Sequence, residues 1–161
     1  MQKSCCPFKE MVFLKSFLAE NIKSKKFIKT SLLYRSSIDG YKAKDFHEKC
    51  DGKNNILVLV KANNFLFGGY TSSGWNSRNG VYVKSDESFI FSLSNPSNKP
   101  CVFKCVKPER AIFDSPWFSV CFGAGFDLLI GNDPFETNDN HSDLGNSYLS
   151  KIFDLFNFFF F

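Results

Sequence analysis

Few side chains in this sequence stand at spacings that suit chemistry. His47 and Cys50 lie three residues apart, and on a helix they would share a face, with a thiol beside a base. A thiol nucleophile also needs an oxyanion site and a third group to orient the imidazole. Neither is readable nearby, so the pair is expected to be a core thiol and a surface imidazole. Ser36, Ser37, Ser72 and Ser73, with Asp39, offer hydroxyls and a carboxylate, but no Gly-x-Ser-x-Gly elbow presents them. Phe122-Gly123-Ala124-Gly125-Phe126-Asp127 has the glycine density of a phosphate loop. It lacks the third glycine of the dinucleotide fingerprint and the Lys-Ser/Thr of a P-loop, and a strand-like run follows where a helix N-terminus would have to stand. Its expected role is a tight β-turn or bulge. Asp133, Glu136, Asn138, Asp139, Asn140 and Asp143 crowd one loop with oxygen ligands, but without the Asp-x-Asp-x-Asp-Gly spacing and distal Glu of a calcium loop. A solvated loop is the expectation.

The six cysteines, at 5, 6, 50, 101, 105 and 121, include no Cys-x-x-Cys pair, and only His47 and His141 join them. That set does not supply the tightly spaced ligands of a structural zinc site. Cys101 and Cys105 sit four apart in a strand-like run, on one sheet face but about 13 Å from each other, too far for a disulfide. Reduced thiols, no metal and no cofactor are expected, in a cytoplasmic setting.

The elements that would position these groups come next. The chain has 161 residues, enough for one domain with a real core, and its hydrophobic (43%) and charged (22%) fractions exclude global disorder. Phe contributes 21 residues, and aromatic-rich runs favour β cores. Residues 1–61 carry 13 basic and 6 acidic side chains, against 7 and 10 in the remainder. Lys23, Lys25, Lys26 and Lys29 are the dense part, a candidate contact for an acidic or phosphorylated partner. No aromatic-plus-basic RNA motif accompanies them, so nucleic acid is not expected. Lys3, Lys9, Glu10 and Lys15 interrupt any signal-like apolar core, and no run reaches the length of a membrane span.

Apolar residues recur at helical spacing over 8–22, predicting an amphipathic helix that packs on a core or a partner. Lys29–Tyr34 reads as a short strand, Ser37–Gly40 as a turn, and Ala43–Cys50 as a helix ended by Asp51-Gly52. Ile56–Val60 fits a strand buried on both faces. Asn63-Asn64 turns it into Phe65–Tyr70, whose paired glycines predict a bulge or a close backbone approach. Thr71–Gly80 reads as a loop around Trp75. Further strands are expected at Ser88–Leu93, Cys101–Val106, Ala111–Phe113, Trp117–Phe122 and Asp127–Ile130, with a polar loop over Asn132–Gly145. The fold class is α+β: a mostly antiparallel two-sheet β-sandwich flanked by short helices.

The ordered motifs carry a resemblance. Leu33-Tyr34-Arg35-Ser36-Ser37-Ile38-Asp39-Gly40 and Phe46-His47-Glu48-Lys49-Cys50-Asp51-Gly52-Lys53 resemble the opening of a TLDc domain. Phe67-Gly68-Gly69-Tyr70, followed by Trp75, is similar to that family's Phe-Gly-Gly/Ala segment. Ser88-Phe89-Ile90-Phe91-Ser92-Leu93 and Phe122-Gly123-Ala124-Gly125-Phe126-Asp127 resemble its later strands, and Gly145-Asn146-Ser147-Tyr148 its closing loop. The resemblance covers about residues 30–148. It implies a domain over 30–161 preceded by a helical and basic extension over 1–29. It implies no catalytic residues and no cofactor. Tyr34, Arg35, Asp39, Gly40, Phe46, Cys50, Phe67, Gly68, Gly69, Trp75, Phe91, Gly123, Gly125, Asp127 and Gly145 carry over as fold positions. It further implies oxidative-stress protection and a protein partner, the vacuolar proton-pumping ATPase. The alternatives are a hydrolase-like or thiol-dependent enzyme, or a basic adaptor docking through the four lysines. The end, Ile152–Phe161, departs from the acidic, β-branched last strand of the family, either replacing it or leaving the domain truncated.

Overall fold

A computed structural model describes residues 8–22, 30–134, 136–137 and 139–149. Lys23, Lys25, Lys26 and Lys29, and the apolar end over 150–161, lie outside the described residues. Two four-stranded antiparallel sheets face each other. Sheet one runs β1 (Ile56–Ala62), β2 (Phe65–Thr71), β4 (Ser88–Ser94), β5 (Cys101–Lys104). Sheet two runs β3 (Val81–Val83), β6 (Ile112–Asp114), β7 (Val120–Phe122), β8 (Leu128–Ile130). Three helices, α1 (Phe8–Asn21), α2 (Ser36–Asp39) and α3 (Ala43–Cys50), and a 3-10 turn at Pro108–Arg110 complete the described chain. This is the expected two-sheet α+β sandwich.

Period-two alternation sorts the side chains of sheet one between two apolar layers. Ile56, Phe67, Ile90 and Phe103 point inward and meet Ile112, Val120, Phe122 and Leu128 of sheet two. Leu66, Tyr70, Phe89, Phe91 and Leu93 point outward and meet Leu14, Leu18 and Ile22 from the α1 segment. The predicted amphipathic helix therefore packs on its own sheet, with Val12 left exposed. Each fully buried Leu or Ile contributes roughly 1.5–3 kcal/mol. β4, and β2 beyond Phe65, are the strands buried on both faces. β1, expected to be so, is the half-buried edge of the sheet, because β2 flanks it on one side only.

Edge-to-face rings cross the inner layer. Tyr34 meets Phe46 at 5.6 Å, Phe46 meets Trp75 at 5.6 Å, Trp75 meets Phe122 at 5.6 Å, and Phe122 meets Tyr148 at 6.1 Å. Such pairs add about 0.5–1.5 kcal/mol each beyond area burial. The paired glycines make room for them. A Cβ on Gly69 would stand 2.7 Å from Phe122 Cζ, and one on Gly68 would run into the Val58 carbonyl oxygen. The register also shifts between Leu66 and Phe67. Of the two expected alternatives, the close backbone approach is at Gly68, while the register shift falls just ahead of the glycines and a ring, not a backbone, abuts Gly69.

Several local expectations are corrected. No strand forms over 30–35 among the described residues; that stretch leads into α2, which occupies the expected turn and closes at Gly40. The strand expected over Trp117–Phe122 is confined to Val120–Phe122, because Pro116-Trp117 turn outward. Val81–Val83, to which the sequence pattern assigns no element, forms the edge of sheet two, with three residues too few to show a period.

Gly69→Ala tests the close approach. It is expected to lower unfolding free energy by about 1–3 kcal/mol through overpacking, read from the denaturant midpoint, while the exposed change Lys61→Ala shifts it by less than about 0.5 kcal/mol.

Candidate functional site

The groups that read as chemistry in the sequence converge on backbone. Asp127 follows a turn in which Gly123, Gly125 and Phe126 all adopt positive φ, at 80°, 91° and 63°. That conformation costs glycine little and delivers Asp127 inward as β8 begins. Its carboxylate is wholly buried. Oδ1 accepts N–H groups from Gly145 at 3.0 Å, Asn146 at 3.0 Å and Tyr148 at 3.4 Å, and Oδ2 accepts from Ser147 at 2.8 Å. Four consecutive amides thus close around one acid, the arrangement a bound anion would otherwise take. The glycine run forms a tight turn, as expected. The anion in the cradle beside it is the protein's own side chain.

Tyr148, fixed by this cradle, joins the sheets. Its hydroxyl donates to Ala111 O at 2.7 Å and shares a 2.6 Å hydrogen bond with Ser88 Oγ. Burial pushes its phenol well above the ordinary range.

His47 is the clearest correction. It is not a surface imidazole: only 6% of it is exposed. Nε2 donates to the carbonyls of Ser115 at 3.1 Å and Phe118 at 2.9 Å, and Nδ1 meets Asp51 Oδ1 at 2.7 Å. All three neighbours are acceptors, two of them backbone carbonyls. Ser77 Oγ donates to Asp51 Oδ2 at 2.5 Å. The three residue types are those of a hydrolytic triad, but the serine bonds the acid and Nε2 holds carbonyls, so no nucleophile stands against a base. Asp114, also fully buried, accepts Asn76 N–H and the Arg78 guanidinium, the latter at 2.9 Å. The same loop is held by Trp75 Nε1 donating to Phe113 O at 3.2 Å.

Cys50 is the expected core thiol, on the buried face of α3. Burial, with Asp51 and Asp39 nearby, pushes it up to about 11, the reverse of what a reactive thiolate needs. Cys101, Cys105 and Cys121 are likewise raised by burial, and all four are free. A shallow groove is lined by Phe65, Phe67, Phe103, Leu128 and Leu144 with three serines, and its lining includes no acid or base. Among the described residues no cluster of three His, Cys, Asp or Glu side chains can hold a metal ion. In the acidic loop, Asn140 Oδ1 accepts Gly131 N–H at 3.1 Å.

The remaining fold positions fall where local geometry needs them. Tyr34 OH donates to Gly40 O at 2.6 Å, and Asp39 Oδ2 accepts Arg35 N–H at 2.7 Å across α2. Phe46 and Trp75 are in the inner core, Phe91 in the outer layer, and Gly145 in the Asp127 cradle. Sequence reasoning missed His47, Asp114 and Tyr148 as bonding centres. Each is satisfied by residues tens of positions away, and no local pattern marks that.

Burial raises the Asp127 carboxyl above 3.8, while the four N–H groups pull it down. A folded value above the unfolded one means that the native state binds this proton more tightly, so its stability contribution falls as pH rises from 3.8 through the raised value. Asp127→Asn is expected to cost about 3 kcal/mol, with the gap to the parent narrowing as pH rises across that window. Thermal melts from acid to neutral pH check it; a gap that widens shows the N–H groups outweighing burial. In a second test, iodoacetamide at pH 8 labels Cys50 slowly in the folded chain and fast after denaturation. Rapid native labelling would contradict the buried, raised thiol.

No helix among the described residues is long and apolar enough to cross a membrane. No curated protein matches the chain. The family model of the TLDc domain matches residues 5–157. With the two sheets, the paired glycines and the closing Gly-Asn-Ser-Tyr loop in place, the chain belongs to the TLDc domain family.

Proposed function

We propose that this chain is a non-catalytic interaction module of the cytoplasm. Its partner is a subunit of the vacuolar proton-pumping ATPase, and its role is protection against oxidative stress. Family membership across 5–157 is the observation that carries this reading. The chemistry of the buried groups supports it. His47, Asp114 and Asp127 are bonded to the protein's own amides and carbonyls, and Cys50 is held as an unreactive thiol. A module whose polar interior serves only its own fold acts through its surface.

The test is affinity purification of the tagged intact chain from peroxide-treated and untreated cells, with mass-spectrometric identification of bound proteins. Proton-pump subunits are expected among them, absent from a tag-only control and enriched by peroxide. Their absence under both conditions would overturn the partner assignment.

A further inference from the structure

One run of surface aromatics is unlike the rest of the exterior. Trp117 is 70% exposed, the most exposed of the large apolar side chains described. Its neighbour Phe118 starts a chain of ring contacts: Phe118 to Phe126 at 5.7 Å, Phe126 to Phe113 at 6.1 Å, and Phe113 to Tyr82 at 5.2 Å. Phe113 faces out because Ile112 and Asp114 on either side are fully buried. Tyr82 lies opposite it in register and is 45% exposed. The Arg110 guanidinium stands 5.4 Å over the Tyr82 ring.

Two features fit this strip for binding rather than for accidental exposure. The first is rigidity. His47 Nε2 holds the carbonyls of Ser115 and Phe118, which bracket Trp117, and Trp117 N–H donates to Ser115 Oγ at 3.3 Å. The indole is thus presented on a clamped turn, which lowers the ordering cost of docking. The second is charge. Arg110 forms no ion pair with a carboxylate among the described residues, the adjacent Glu109 included. A guanidinium lying on a ring keeps its N–H edge for a planar carboxylate. Trp, Tyr and Arg are the residue types that dominate binding energy at interfaces.

We propose that the strip of Trp117, Phe118, Phe126, Phe113, Tyr82 and Arg110 is the docking surface for an acidic segment of a partner protein. That segment places large apolar side chains on the rings and a carboxylate on Arg110. The inference rests on the interaction-module reading and adds the surface and the chemistry of what it meets.

The probes are three short synthetic peptides: Glu and Asp alternating with Phe and Leu, its Gln/Asn twin, and its Lys counterpart. Binding to the intact chain is followed by tryptophan emission. Of the two tryptophans, Trp75 is buried, so a blue shift reports Trp117. The acidic peptide is expected to bind at least about tenfold tighter than its amide twin. Arg110→Glu should reverse the preference toward the Lys peptide, and Trp117→Ala should weaken acidic-peptide binding at least about tenfold by titration calorimetry. Both side chains are exposed, so unchanged unfolding midpoints confirm intact folds. Equal affinity for acidic and amide peptides, no effect of Arg110→Glu, or self-association through this face overturns the proposal. Pump subunits that co-purify equally with both variants sink this surface and leave the module reading standing. Peptide binding as expected without any pump subunit sinks the partner assignment and leaves the surface standing.

Discussion

One buried carboxylate holds the end of the described chain to the rest. Asp127 gathers the amides of Gly145 to Tyr148 and so places the Tyr148 ring between the sheets. From there the hydroxyl reaches Ser88 in sheet one and Ala111 beside sheet two, and the ring closes the aromatic series that begins at Tyr34. An uncompensated charge in that layer would be costly, and four donors offset the loss of water. The glycine-bearing turn before Asp127 exists to aim it inward.

The same logic repeats at His47 and Asp114. Each is a polar side chain deep in the protein that bonds loop backbone as well as one charged side chain. Short strands of three residues leave long connections, and such connections carry amides and carbonyls that no ladder satisfies. Side chains from elsewhere satisfy them. This interior polarity is the means by which the sandwich tolerates its loops. On the exterior, the fixed turn of Trp117 and the Arg110–Tyr82 contact belong to one strip of aromatic side chains.

Much of the architecture was legible because its signals are local. The strands over Ile56–Ala62, Phe65–Thr71 and Ser88–Ser94 are long enough to show β-branched and aromatic runs. Asn63, which sits at a φ of 52°, announced its turn by type. Val81–Val83 was not legible, since three residues carry no period and its strand character comes from pairing with Ile112–Asp114. Nor was His47. Its spacing from Cys50 suggested a reactive pair or a surface ring, and its fate was decided by carbonyls 68 and 71 residues away.

By itself, then, the order of residues determined the layered β class, the turns and the paired glycines, because alternation, positive-φ tolerance and side-chain volume are properties of neighbours in the chain. It also determined the family, through motifs whose order survives without any contact being known. The tertiary structure alone decided which acids and imidazoles are buried, what they bond, and which rings are left facing outward. Those outcomes depend on distances between segments remote in sequence, and burial and hydrogen bonding are set by that proximity rather than by residue type.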